Sequence, residues 1–181
     1  KELKGGDVII DLNGYKLEMA EGQKKMFTVY DGVKLVFIDS SDAGTGEVIG
    51  YQSGSNAGVA QVYGGDLDIY GGTFEALAED TESYADTLYP VLNVADNNGM
   101  INVYGGLFKG QNPAAPGTEP KAWNDAHPNG FVADGYRVVK SGEDFSVVPK
   151  DFVISTEELV AAFANGDANI TLANDITLEK M

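Results

Sequence analysis

Asp66 and Asp68 stand two residues apart in the stretch GGDLDIYGGTF, Gly64 to Phe74. On an extended strand that spacing puts both carboxylates on one face. Paired carboxylates can serve glycoside hydrolysis or hold calcium. Leu67 and Ile69 take the opposite face, so the plain expectation is a solvated outer pair. The chain nearly repeats this stretch as NGMINVYGGLF, Asn98 to Phe108, with Met100 and Asn102 at the acidic positions. No ladder of carboxylates therefore continues. GGDLDIYGG also lacks the fourth-position glycine and the nine-residue period of calcium-binding nonapeptide repeats.

A second acidic group, Asp39, Asp42 and Glu47 in DSSDAGTGE, surrounds flexible residues. It departs from the spacing of a calcium-binding helix–loop–helix and reads as a polar loop. The third group lies in QNPAAPGTEPKAWNDAHPNG, Gln111 to Gly130, which carries the only Trp, the only His and four of the six prolines. A long loop on a rigid scaffold is where binding concentrates. Trp123 can stack on a sugar or a partner protein, with Asp125 and His127 supplying polar contacts. The competing expectation is that Trp123 anchors the loop against the scaffold. His127 has no Ser or Cys nucleophile in a recognisable setting, so no triad is assigned. Phosphate loops, dinucleotide fingerprints and HExxH are absent. The residues thus point to no catalytic group, no metal site and no cofactor. Asn169-Ile170-Thr171 fits the N-glycosylation pattern.

The scaffold must be read from composition and period. The chain has 181 residues, enough for one domain with a core. Its formal net charge is −16, which opposes nucleic acid and anionic membranes. Arg137 is the sole arginine, so no arginine cluster can grip phosphate. No apolar run reaches the length of a membrane span, so membrane insertion is not expected. Cysteine is absent, which removes disulfides and thiolate metal sites. Neither a secretory leader nor an initiator Met stands at Lys1, so the sequence reads as a mature product or a piece of one.

Turn dipeptides recur at Asn13-Gly14, Asp31-Gly32, Gly64-Gly65, Asn98-Gly99 and Asp134-Gly135. Their glycines are 18, 33, 34 and 36 residues apart. Each is followed by period-2 apolar residues: Tyr15, Leu17, Met19; Val33, Leu35, Phe37; Leu67, Ile69; Ile101, Val103; Tyr136, Val138. Such dipeptides ordinarily signal hairpins. Here strand, corner, strand, glycine corner, strand and loop follow one another and then begin again. That order suits stacked units whose equivalent strands pair in parallel, since only stacking buries the apolar face. The expected fold is all-β, a parallel β-helix with long loops and one short C-terminal helix. Tyr70 and Tyr104, and likewise Phe74 and Phe108, are expected to stack like on like. The loops are placed at 40–58, 77–90 and 111–130.

Residues 1–150 form the expected solenoid and 151–181 a separate segment. STEELVAAFAN, Ser155 to Asn165, reads as a helix. Ser155 and Glu158 form a capping box, Asn165-Gly166 is a stop, and Leu159, Ala162 and Phe163 share one face. Two strand-like pieces follow, NITLA and DITLEK. The segment is expected to cap its own chain, to cross to a neighbour, or to open a following repeat.

VIIDLNGYKL, FTVYDGVKLVFIDSSDAGTGEVIG, VYGGDLDIYGGTFEA and FVADGYRVVKSGEDFSVVP resemble repeats of the pectate-lyase-like superfamily. More narrowly, they are similar to modules of large surface proteins of gut anaerobes and to phage virion proteins. The resemblance spans roughly Asp7 to Pro149 and implies a right-handed parallel β-helix. It implies a non-enzymatic structural or adhesive module outside the cell, on a bacterial surface. A virion component such as a tail spike, fibre or head decoration is the alternative, and a polysaccharide lyase or hydrolase the second. The implied partners are a surface glycan or protein, or a further copy met through the C-terminal segment. The superfamily's lyases use carboxylate-bound calcium and an Arg or Lys base. No run here matches that motif, and Arg137 lies in the closing strand GYRVV, so no catalytic residue is carried over.

Overall fold

The computed structural model describes residues 1–20, 23, 26–52, 58–78, 91–95, 98–115 and 130–178. The chain is mostly β, with parallel sheets and, among the described residues, one short helix. The first three strands are β1 (Glu2–Leu3), β2 (Gly6–Asp11) and β3 (Lys16–Glu18). Then come β4 (Phe27–Tyr30), β5 (Val33–Ile38) and β6 (Glu47–Gln52), followed by β7 (Ala60–Tyr63), β8 (Asp66–Ile69) and β9 (Thr73–Ala78). The fourth set is β10 (Leu92–Val94), β11 (Met100–Val103) and β12 (Gly106–Lys109). Each strand pairs in parallel with the strand three places on, giving the orders β1-β4-β7-β10, β2-β5-β8-β11 and β3-β6-β9-β12. We call each set of three strands a tier.

Period-2 patterning sorts the side chains. Leu35, Leu67 and Ile101 are paired across tiers, as are Phe37, Ile69 and Val103. All six are at most 1% exposed. Phe74 and Phe108 stack with ring planes 13° apart and centroids at 5.3 Å; Phe37 meets Phe74 edge-on at 5.4 Å. The apolar columns run continuously because no single tier has anything else to bury them against.

Two features depart from the sequence expectation. Asn13-Gly14 lies at the corner between β2 and β3, whereas Gly32 and Gly65 precede the second-sheet strands of their tiers. The first-tier counterpart is Gly5-Gly6, with Gly6 at φ 76°, beside Gly32 at 74° and Gly64 at 78°. The apparent 18-residue spacing compares different corners. Tyr15, grouped with Leu17 and Met19 by period, is accordingly exposed at that corner.

The second departure follows Asp134-Gly135. Strands β13 (Tyr136–Ser141) and β14 (Asp144–Pro149) form an antiparallel hairpin, and β14 adds antiparallel to β12. Its turn is Gly142-Glu143, with Gly142 at φ 62°, the glycine-first pattern that matches strand twist. This hairpin finishes the third sheet. The other two last strands are closed as well. Val103 takes Phe131 and Ala133 through main-chain bonds of 2.7 and 3.0 Å. The buried Gln111 amide accepts from Leu92 N–H and donates to Leu92 O at 2.9 and 3.1 Å, in place of a further strand. Unpaired parallel edges would otherwise template association.

The helix α1 spans Thr156–Asn165. Ser155 Oγ accepts from Glu158 N–H at 3.2 Å, and Gly166 closes the helix in the left-handed region. The expected capping box forms only by half. The Glu158 carboxylate accepts from Ile154 N–H rather than from Ser155, and it also receives Arg137 through two bonds of 2.8 Å. Leu159 and Ala162 pack with Val153, Ile170 and Ile176 in a cluster apart from the main core. Phe163 points away and is 60% exposed. Among the described residues, 170–178 make an isolated bridge, Val153 to Leu172, instead of two strands.

Arg137 thus ties the C-terminal segment to the closing hairpin, and also donates to Phe152 O. The Arg137 bonds, then the Ile154 N–H, lower the Glu158 carboxyl from 4.5 to about 2. A depressed carboxylate contributes stability above its unfolded pKa and loses it as pH falls through the folded one. The tie is therefore complete above pH 4.5 and is lost on acidification toward 2. Glu158→Gln is expected to shift the amide resonances of 153–178 at pH 7 while those of β5, β8 and β11 stay in place. Unmoved resonances in 153–178 would show that the tie is not what holds the segment.

Candidate functional site

The outer face of the second sheet carries the polar residues singled out by spacing. Asp66 pairs in register with Lys34 and Met100, and Asp68 with Val36 and Asn102. Asp66 is exposed, but Asp68 is only 3% exposed, so the expected solvated pair is half wrong. Lys34 Nζ reaches Asp68 Oδ2 at 2.7 Å and Asn102 Nδ2 donates to Asp68 Oδ1 at 2.9 Å. A buried carboxylate needs such partners. The bond to Asp68 also raises the Lys34 ammonium above its usual range. The two acids are therefore not an equivalent catalytic pair.

Beside this cluster, just past the ends of β8 and β11, Tyr70 and Tyr104 stack with centroids at 4.6 Å and planes 5° apart. Main-chain bonds fix both: Tyr70 N–H to Phe37 O at 2.9 Å and Tyr104 N–H to Ile69 O at 2.8 Å. The glycines that follow let the tiers close up. A Cβ on Gly105 would lie 2.4 Å from Tyr70 O. Tyr136 of the hairpin meets Tyr104 edge-on at 5.6 Å. Burial first, then the nearby Asp68 charge, push the Tyr104 hydroxyl up. Past Tyr136 opens a cleft of about 330 Å³ bounded by Ala114, Asp134 and Lys150.

Ala114 belongs to the root of the long excursion. Phe131 N–H donates to Pro113 O at 2.7 Å, closing the loop at its base. Gly130, at φ 70°, passes so near that a Cβ would sit 2.4 Å from Pro113 O. Trp123, Asp125 and His127 lie outside the described residues, as do 53–57 and 79–90 of the other two stretches expected as loops, whereas 47–52, expected within a loop, is strand β6 paired with β3 and β9.

Asp39 faces the corner rather than solvent. Its carboxylate accepts from Gly14 N–H, Gly46 N–H, Ser41 N–H and Ser41 Oγ at 2.7–3.3 Å. Asp42 is exposed and Glu47 opens β6. Among the described residues no group of three or more His, Cys, Asp or Glu can hold a metal ion, and none of the helices is long and apolar enough to cross a membrane.

The tyrosine stack was legible as a repeat of position. The ion pair from Lys34 and the approach of Tyr136 were not, because each comes from a neighbouring tier or the antiparallel hairpin.

No family model matches the chain, and no solved structure matches it. Over 92 residues, 51% of the chain, it is 35% identical to part of the pyoverdine export ATP-binding/permease protein PvdT of Pseudomonas syringae pv. syringae. The match takes in 14% of that protein's length.

Proposed function

We propose that the chain is a right-handed parallel β-helix module of an extracellular bacterial surface protein, with a structural and adhesive rather than enzymatic role. The pairing of each strand with the third one on, in three sheets, supports a solenoid. The right-handed preference of parallel crossovers supports its hand. The observation that carries the adhesive reading is the loop root. On either side of 116–129, Phe131 N–H donates to Pro113 O and brings the two described ends together against the sheet. Side chains presented from such a base lose little entropy on binding.

Replacing 116–129 by Gly-Ser-Gly is expected to leave the circular dichroism spectrum and the unfolding midpoint within about 0.5 kcal/mol of the parent, as for substitutions off the core. Beads coated with the parent chain are expected to attach to mucin-coated glass, and attachment is expected to fall at least fivefold for the shortened chain and for Trp123→Ala. Parent beads that do not attach, or shortened chains that attach equally, would overturn the adhesive role of the loop.

A further inference from the structure

We propose that the open edge of the first tier receives residues 170–178 of a second copy of this chain, so that copies join head to tail. The contact needs only the stacked tiers and stands whether or not 116–129 adheres.

The two ends of the stack differ. The last tier is closed by the hairpin, by Phe131 to Ala133 and by Gln111. Among the described residues, no strand pairs with the other edges of β1, β2 and β3. Burial agrees. Leu3, Val8, Ile10 and Leu17 pack on the core but are only partly buried, while their register partners Val29, Leu35, Phe37 and Val48 are fully buried. The core therefore ends in an apolar face rimmed by main-chain groups, a template for a further strand. Leu12 N–H donates to Ile38 O. Successive residues turn their main-chain groups to alternate edges of a strand. Val8 and Ile10 thus bond toward β5, and Asp7, Ile9 and Asp11 turn theirs to the open edge.

The C-terminal segment carries the matching half. Val153 N–H donates to Thr171 O, and Ala173 N–H donates to Val153 O. Those bonds use one edge of the segment and leave the main-chain groups of Ile170 and Leu172 turned to the other. Leu172 is also 48% exposed. Throughout the second sheet, inward residues of one strand bond to outward residues of the next: Leu12 to Ile38, Phe37 to Tyr70, Ile69 to Tyr104. With Ile170 and Leu172 set against Val8 and Ile10, Ile9 N–H meets Ile170 O and Leu172 N–H meets Ile9 O in that same sense. The order Ile170-Thr171-Leu172, Asn174-Asp175, Ile176-Thr177-Leu178 also follows Val8-Ile9-Ile10, Asn13-Gly14, Lys16-Leu17. Charge permits the contact. Residues 151–178 hold five carboxylates and no basic residue, whereas 1–25 hold five basic and five acidic residues within a chain of net charge −16. An acidic tail meets no net repulsion there. The tail's own first tier is out of reach. Arg137 holds the tail beside the closing hairpin, and β2 lies three strand spacings from β11, about 14 Å.

The test is the solution mass of the full chain at pH 7 by sedimentation equilibrium, from micromolar to millimolar concentration. The mass is expected to rise past that of a dimer, since a contact between unlike surfaces does not close at two copies. Ile9→Pro removes an N–H on the open edge without breaking a bond to β5. Leu172→Asp sets a charge where the segment meets Ile10. Each variant alone is expected to be a monomer with the parent's circular dichroism spectrum. Mixed in equal amounts they should give a dimer and nothing larger, because one still offers its tail and the other its edge. Val8→Lys, which puts a charge on the end face, should act as Ile9→Pro does and replaces it if proline unfolds the strand. A parent chain that stays a monomer at millimolar concentration would overturn the proposal, as would one that stops at a dimer. Folded single variants that assemble like the parent, or a mixture without dimer, would overturn it equally.

Discussion

Phe74→Ala is expected to remove about 4 kcal/mol of stability, enough to leave the chain barely folded at 37 °C. Phe74 is fully buried and stands between two other fully buried rings, Phe37 at 5.4 Å and Phe108 at 5.3 Å. Deleting it opens a cavity inside a column that spans three tiers. The column cannot collapse to fill the gap, because main-chain ladders fix the tier spacing. Lost ring–ring attraction adds about 1 kcal/mol beyond the apolar transfer term. Guanidinium unfolding should show a lower midpoint with an unchanged slope. Ile9→Ala, on the outer face at 67% exposure, should change stability by less than about 0.5 kcal/mol. A Phe74 effect below about 1.5 kcal/mol would mean that the aromatic column is not the core of the stack.

The parallel pairing was legible because the third and fourth tiers repeat with one register. Asp66 pairs with Met100 and Ile69 with Val103 at the same offset, so Leu67 above Ile101 and Tyr70 above Tyr104 followed from self-similarity alone. The first tier was misphased for a physical reason. A glycine at positive φ solves the steric problem of any tight corner, so Asn13-Gly14 looks like Asp31-Gly32 although they sit at different corners. Only the apolar phase tells them apart, and Tyr15 imitated it. The closing hairpin was hidden by the same ambiguity. Ser141-Gly142-Glu143-Asp144 is a hairpin turn, but the preceding Asp134-Gly135 had the look of another tier. Of the candidate site, the tyrosine stack could be read from sequence. Burial of Asp68 could not, since Lys34 covers it from the adjacent strand β5 across a diagonal register. Phe163 was misjudged because α1 buries a narrow stripe, Leu159 and Ala162, against a small cluster.

Asp39→Asn is expected to cost about 3 kcal/mol at pH 7, in the range for a charge-assisted network whose donors are left short of acceptors. Four donors converge on the Asp39 carboxylate: the Ser41 hydroxyl and three main-chain N–H groups, of which those of Gly14 and Gly46 lie in successive tiers. Asparagine keeps one acceptor oxygen and turns an NH₂ group toward donors that it cannot satisfy. The neighbourhood is too tight to relax: a Cβ on Gly46 would lie 2.5 Å from Leu12 Cβ and 2.8 Å from Asp39 Cγ. Burial of Asp39 pushes its carboxyl up, but hydrogen bonds from Gly46, Ser41 and Gly14 outweigh this and leave it below 3.8. The carboxylate's contribution is then fully present above pH 3.8 and is lost as pH falls through the lower folded value. Stability of the parent should drop across that interval more steeply than that of Asp39→Asn, which has no proton to take up there. Asp42→Asn, in the exposed part of the same loop, should leave stability at neutral pH unchanged. Parallel pH profiles for the parent and Asp39→Asn would place the acid sensitivity of the stack elsewhere. Asp11 is the next group to test, because the Ser40 hydroxyl and then the Ser40 N–H also hold its carboxyl below 3.8, at the same corner one tier away.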